Sequence, residues 1–196
     1  MTDRSDEELM LAYRGGDTRA FETLLMRHGS GIYRFALRFL GDRMRAEEVV
    51  QESFLRILRS APRYEHRSSF RNYLYRVARN LCLDLVRKEP RARLQTRSNG
   101  PCGAGMESVP DSNPGPDLCV ESEQLRFVIF KSLQGLPPEQ REVFLLKEVR
   151  GMKLQDVAEV TGANLNTVKS RLRYALQALR EALSREGIGK EIGDGL

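Results

Sequence analysis

The stretch from Leu154 to Leu183 constrains this chain most, because it reads as a helix, a tight turn and a second helix. Val157 and Ala158 follow Leu154 at helical spacing. Gly162 stands where the chain must turn, and glycine takes left-handed backbone angles without a Cβ clash. Asn164 is placed to cap the next helix by accepting a bond from a free backbone N–H. Leu165, Val168, Leu172, Ala175, Leu176 and Leu179 then recur at three- and four-residue steps, which predicts one buried stripe. The opposite face carries Thr167, Lys169, Ser170, Arg173 and Tyr174. The small Ala158 lets two helices cross closely, and a turn containing glycine fits a helix-turn-helix. Such a unit suits a DNA groove; alone, it is also compatible with a helical hairpin whose basic face is merely solvated.

Helical periodicity extends over most of the chain. From Ser5 to about Lys88, apolar residues return at helical steps, interrupted by Gly15-Gly16-Asp17, Gly41-Asp42 and Pro62. Phe21, Leu24, Leu25, His28, Ile32, Phe35, Leu37, Phe39 and Leu40 carry one stretch, and Val50, Phe54, Ile57 and Leu58 carry the next. Phe70, Tyr73, Leu74, Val77, Leu81 and Leu85 form a last long stripe with Cys82 at its edge. No segment alternates at period two for long enough to be a strand. Residues 90–122 mix Pro101, Pro110, Pro114 and Pro116 with Gly100, Gly103, Gly105 and Gly115 among Ser, Asn and Asp. A segment of that composition buries too little apolar area to offset its ordering entropy and is read as a flexible linker. Leu125, Val128, Ile129 and Leu133 open a second lobe, and Pro137-Pro138 marks a helix start, where a missing N–H costs nothing. The expected fold is all-α. Two small helical domains, 5–89 and 123–185, are joined by the 90–122 linker and followed by a short tail, 186–196.

Charge and composition narrow the function. The 196 residues carry 32 Lys+Arg against 27 Asp+Glu, a formal net charge of +5, which suits a polyanionic partner. Arginine predominates over lysine, favouring bidentate phosphate or guanine contacts. The acidic start has no apolar core of a secretory signal, and no run approaches the ~18 apolar residues of a membrane helix. Cys82, Cys102 and Cys119 are too few and too scattered for a disulfide framework or a zinc set, so a reducing cytoplasm is expected. His28 and His66 are the only histidines. With no nucleophile motif, phosphate-binding glycine loop or ligand cluster, the chain is read as non-enzymatic, without cofactor, metal or small-molecule substrate.

On the helix from Ala46 to Leu58, Glu48, Gln51, Glu52 and Leu55 share an outward face, an acidic and amide patch able to dock a basic surface. Residues 63–70 form a polar loop containing Arg63, His66 and Arg67. The following helix presents Arg71, Asn72, Tyr75, Arg76, Arg79 and Asn80, beside Tyr73 and Phe70. Arginines interleaved with aromatics are what single-strand binding needs.

Four blocks then appear in order: EEVVQESFLRI (47–57), FRNYLYRVARN (70–80), LPPEQREVFLL (136–146) and TVKSRL (167–172). In this the chain resembles bacterial sigma factors of the small extracytoplasmic-function group, over nearly all its length apart from the linker and the last dozen residues. The resemblance implies two helical domains that bind core RNA polymerase and direct it to promoter DNA. By the same resemblance, Glu48, Gln51, Glu52 and Leu55 dock the clamp of the largest subunit, and the second domain meets the flap of the second-largest. Arg63, His66, Arg67, Arg71, Asn72, Tyr73, Arg76, Arg79 and Asn80 match the element that captures the melted −10 strand. Asn166, Thr167, Lys169, Ser170, Arg171, Arg173 and Tyr174 match the face that enters the major groove at the −35 element. Arg173 would read guanine edges there, while Thr167 and Arg171 hold phosphates. The family is commonly silenced by a separate anti-sigma factor, which is expected here too.

This chain departs from the family pattern in three places. Tyr73 stands where the family commonly has tryptophan, Lys153 replaces the usual Ser or Thr cap, and the linker carries Cys102 and Cys119. The rival reading is a free-standing two-domain helix-turn-helix regulator, which would normally dimerise to match a palindromic site.

Overall fold

The computed structural model describes residues 4–64, 69–88 and 123–186, and every regular element among them is helical. Helix α1 (Asp6–Arg14) begins at Ser5, whose hydroxyl accepts from the Glu8 amide while the Glu8 carboxylate takes the Ser5 amide. This reciprocal pair satisfies two donors that the first helical turn leaves free. Helix α2 (Thr18–Leu40) stops at Gly41, which adopts φ 71°. Asp42 then caps α3 (Arg43–Ser60) by accepting from the Arg45 amide. Pro62 sits in a 3₁₀ turn (Ala61–Arg63), and α4 (Phe70–Lys88) closes the first lobe. Its core is made of Leu24, Ile32, Phe35, Phe39, Phe54, Ile57, Phe70 and Leu74, all buried.

The second lobe contains α5 (Glu123–Gly135), α6 (Pro138–Phe144), a π-helical turn (Leu145–Val149), α7 (Leu154–Thr161) and α8 (Leu165–Arg185). Pro138 is the first residue of α6. Gly162 turns the chain between α7 and α8 at φ 68°, and the Asn164 side chain accepts from the Thr167 amide at 2.8 Å. Lys153 gives α7 no side-chain cap, as its chemistry requires. The stripe expected on α8 is narrower than the sequence suggests. Val168, Ala175 and Leu179 are buried, whereas Leu165, Leu172 and Leu176 are half-buried, because α5, α6 and α7 cover α8 from one side.

The two lobes pack against each other, and buried apolar residues from both form one connected core. Arg150 enters the first lobe at Gly31 and stacks over the Tyr75 ring, 5.7 Å from its centroid. A Cβ on Gly31 would lie 2.7 Å from the Arg150 guanidinium, so the glycine makes that approach possible. The last turn of α2 leaves carbonyls without helical partners. Gln134 Nε2 donates to the Arg38 carbonyl at 2.9 Å, and Arg141 Nη1 donates to the Phe39 carbonyl at 2.6 Å. A guanidinium at a helix C-terminus also meets the negative end of the helix dipole. Burial lowers the Arg141 pKa to about 10. Residues 90–122, read from the sequence as the linker, lie outside the described residues.

Candidate nucleic-acid and polymerase interfaces

The first candidate surface is the outer face of α3. Its inward register is taken by Ala46, Val49, Ser53, Phe54 and Ile57, which are buried in the first lobe. That register turns Glu48 and Gln51 to solvent together with Leu55, which is 43 % exposed. Glu52 lies at the edge of this face. Its carboxylate accepts from Arg56 Nε at 2.9 Å and stands 3.9 Å from Arg59. Reading the sequence overlooked two neighbours on the same face: Met44, 81 % exposed, and Glu47. Their spacing to Glu48 and Gln51 was available, but a methionine on a helix is ordinarily assigned to a core. An exposed methionine among carboxylates is a surface that can bury apolar area while selecting a basic partner.

Helix α4 carries the second candidate surface, and its residues divide between two faces. Arg76 and Asn80 are exposed and Tyr73 is half-buried; the Arg76 guanidinium lies 5.6 Å from the Tyr73 ring centroid. The Tyr73 hydroxyl is 2.8 Å from Ser60 Oγ, which fixes the ring against the end of α3. This face joins an aromatic ring to Arg76 and Asn80 and suits an unpaired base with its phosphates. His66 and Arg67 lie outside the described residues.

The other face of α4 corrects the sequence reading, which had Asn72 and Tyr75 exposed. Both are buried, because the second lobe covers them. Asn72 Nδ2 donates to Asp156 at 3.1 Å and to Glu159 at 2.9 Å, both on α7. Arg71 donates to the Arg150 carbonyl. Arg79 forms a bidentate pair with Glu142, Nε to Oε2 at 2.6 Å and Nη2 to Oε1 at 3.0 Å. Glu142 is fully buried, and burial raises its pKa above the ordinary carboxylate range despite the opposing pull of Arg79 and Arg171. Arg71, Asn72 and Arg79 thus already hold acceptors of the kind a phosphate backbone offers. Glu142, Asp156 and Glu159 left no signal in the sequence, since their partners lie 63 to 87 residues away.

The third surface is α8. Asn166, Lys169, Arg173 and Tyr174 are exposed, with Thr167 and Ser170 half-buried beside them. The Arg173 guanidinium stacks over the Tyr174 ring at 5.1 Å, so the two project as one unit. Ser170 Oγ donates to the Thr167 carbonyl within the helix. Arg171 departs from this face. Its guanidinium turns inward to within 3.8 Å of the buried Glu142 carboxylate. Gln177 and Arg180 continue the exposed stripe and were not singled out from the sequence.

No group of three or more potential metal ligands occurs among the described residues. Cys82 is buried, which pushes its thiol pKa well up and leaves it unreactive in this arrangement. No described helix is long and apolar enough to cross a membrane. Cys102 and Cys119 lie outside the described residues.

Comparison with known proteins matches both lobes. The family models for sigma-70 region 2 and sigma-70 region 4 match residues 24–92 and 126–179 respectively. The sigma factor SigW of Bacillus subtilis is 31 % identical over 170 residues, covering 86 % of this chain and 91 % of its own length. The sigma factor SigE of Mycolicibacterium smegmatis is 30 % identical over 166 residues, covering 85 % of this chain but only 62 % of that protein. A solved structure of the sigma factor RpoE with the anti-sigma factor NepR from Bartonella quintana is similar at TM-score 0.62. It is 26 % identical and covers 85 % of this chain and 98 % of that one. Two matched regions in order, the first over α2–α4 and the second within α5–α8, with a relative matched along nearly its whole length, place the chain in the extracytoplasmic-function group of sigma-70 family RNA polymerase sigma factors, which are non-enzymatic transcription initiation factors.

Proposed function

We propose that this chain docks core RNA polymerase through the exposed face of α3 and directs it to promoters. On this reading the Tyr73 face of α4 holds the melted −10 strand, and α8 enters the −35 major groove. The observation that carries the reading is that one chain holds both matched regions, with the α3 and α8 faces left exposed by packing. Within the docking patch, Glu48, Gln51 and Leu55 make the contact, and Glu52 orders Arg56 and Arg59 at its rim. Packing of the DNA-facing α4 residues against the second lobe means that the lobes separate before Arg71, Asn72 and Arg79 can meet phosphates. The 90–122 segment permits this, since about thirty residues reach on the order of 100 Å when extended. An anti-sigma factor is the expected regulator, supported by the similar sigma factor solved with one. The site of action is the cytoplasm, where core polymerase and promoter DNA meet.

Run-off transcription by purified core polymerase, with and without the chain, on promoter fragments of its own genome tests this proposal. Discrete transcripts that require the chain are the expected result. Folded chain that binds DNA alone and yields no such transcripts would return the reading to a free-standing regulator.

A further inference from the structure

Helix α1 lies before the region 2 match, which begins at residue 24, and none of the three candidate surfaces includes it. Its packing is nevertheless specific. Glu7 and Arg14 stand seven residues apart, close to two helical turns, and therefore share a face. Glu7 Oε1 accepts from the Phe70 amide at 2.8 Å, at the first residue of α4. Arg14 Nη1 donates to the Tyr64 carbonyl at 3.0 Å, just after the 3₁₀ turn. One helix thus holds both flanks, Arg63-Tyr64 and Phe70-Arg71, of the chain crossing from α3 to α4.

These bonds sit on a rigid base. Asp6 accepts from Arg27 at 3.1 Å and lies 2.6 Å from His28 Nε2, which pins α1 to α2. The His28 ring packs against Phe70 at 5.6 Å between centroids. Leu9 and Met10 are buried beneath. A free amide at a helix start attracts a carboxylate through both the unmet hydrogen bond and the helix dipole. Ser69 also contributes, accepting from the Asn72 amide at 3.1 Å. Glu7 thus adds a remote, charged cap to a helix that already has a local one. The two caps meet different amides of the first turn, but only Glu7 comes from another helix, so only it also fixes the distance between the two flanks.

We infer that α1 is a clamp that positions the −10 element, with Glu7 and Arg14 as positioning residues that set the spacing of Arg63-Tyr64 from Phe70-Arg71. This rests on the reading of α4 as the single-strand surface. A single strand gives its protein no rigid partner to align against, so the protein's own geometry must supply the alignment. With either bond lost, the two flanks move apart and the stacked base no longer meets Tyr73 and its neighbouring cations together.

The test uses holoenzyme assembled from core polymerase and the full chain. The probe is a fluorescent pool of single-stranded oligonucleotides randomised over eight positions, with the retained molecules sequenced. Wild-type holoenzyme is expected to enrich defined bases. Glu7→Ala and Arg14→Ala should each weaken retention about tenfold and flatten that enrichment, with affinity for core unchanged. Glu7→Gln keeps an acceptor and should restore most of both, which a loss of fold would not allow. Unchanged retention and enrichment in the alanine variants, or a parallel fall in core affinity, overturns the clamp. Absence of enrichment by wild-type holoenzyme would instead refute the reading of α4 on which it rests.

Discussion

The Arg79–Glu142 pair should hold the two lobes together, and its removal should be readable at Cys82. Arg79 is 17 % exposed and Glu142 is 0 % exposed at the side chain, so both charges are largely withdrawn from water. Removing one partner of such a pair costs about 3–5 kcal/mol, chiefly because the other is left buried and uncompensated. Two features place Arg79→Ala at the low end. Arg171 stands 3.8 Å from the same carboxylate, and Glu142 already resists ionisation, so protonation relieves part of the penalty. A loss of about 3 kcal/mol from the packed arrangement corresponds to a shift of about a hundredfold toward separated lobes. Glu142→Gln keeps the shape and an acceptor and loses only the charge assistance, about 1 kcal/mol, or roughly fivefold. Asn72, Tyr75, Arg79 and Cys82 follow one another on α4 at steps of three, four and three, so Cys82 lies on the face the second lobe covers. In a Cys102→Ser/Cys119→Ser background, the rate of thiol labelling at Cys82 should rise by those factors. The double variant should cost clearly less than the sum of the single ones. Additive effects, or labelling rates that do not move, would refute the assignment of this pair as the lock.

Three further outcomes are expected. Arg173→Ala should weaken binding to a promoter fragment with a matching −35 element by about 1–3 kcal/mol and leave core affinity intact; an equal fall in core affinity would remove this face from DNA reading. Combined Glu48→Ala and Gln51→Ala should lower core affinity at unchanged circular dichroism, since both side chains are exposed and carry no packing. Unchanged affinity would sink the docking patch. Burial alone would raise the Asp6 pKa, but the hydrogen bond and charge of His28, then those of Arg27, outweigh it and leave it below its ordinary value. A carboxylate depressed by folding stabilises the fold above its unfolded pKa of about 4, and that contribution fades as pH falls through the folded value. The Tm difference between wild type and Asp6→Asn should therefore be full at pH 6 and shrink below about pH 4, whereas a constant difference would contradict this.

Much of the α3 and α8 surfaces was legible because an exposed helix face is a local property. Once apolar positions take the inward register, the outward residues are fixed by the 100° step between neighbours. Glu48, Gln51, Lys169 and Arg173 could be placed that way. Helix α4 could not, because it is covered on two sides. Arg71, Asn72, Arg79 and Arg76 look alike in sequence, yet the first three face the second lobe and only Arg76 is exposed.

The sequence by itself determined where helices begin and end. Gly41 and Gly162 supply left-handed turns, Asn164 and Pro138 open helices, and each acts through backbone atoms a few residues away. Only the tertiary structure decided what the lobes do to each other. Gly31 admits Arg150, Arg141 closes the end of α2, and α1 holds both flanks of the crossing into α4. Those bonds join groups 50 to 102 residues apart, and no periodicity along a chain encodes which distant donor will meet a given acceptor. That choice is made by packing, when burial leaves each polar group only the partner that the opposite surface supplies.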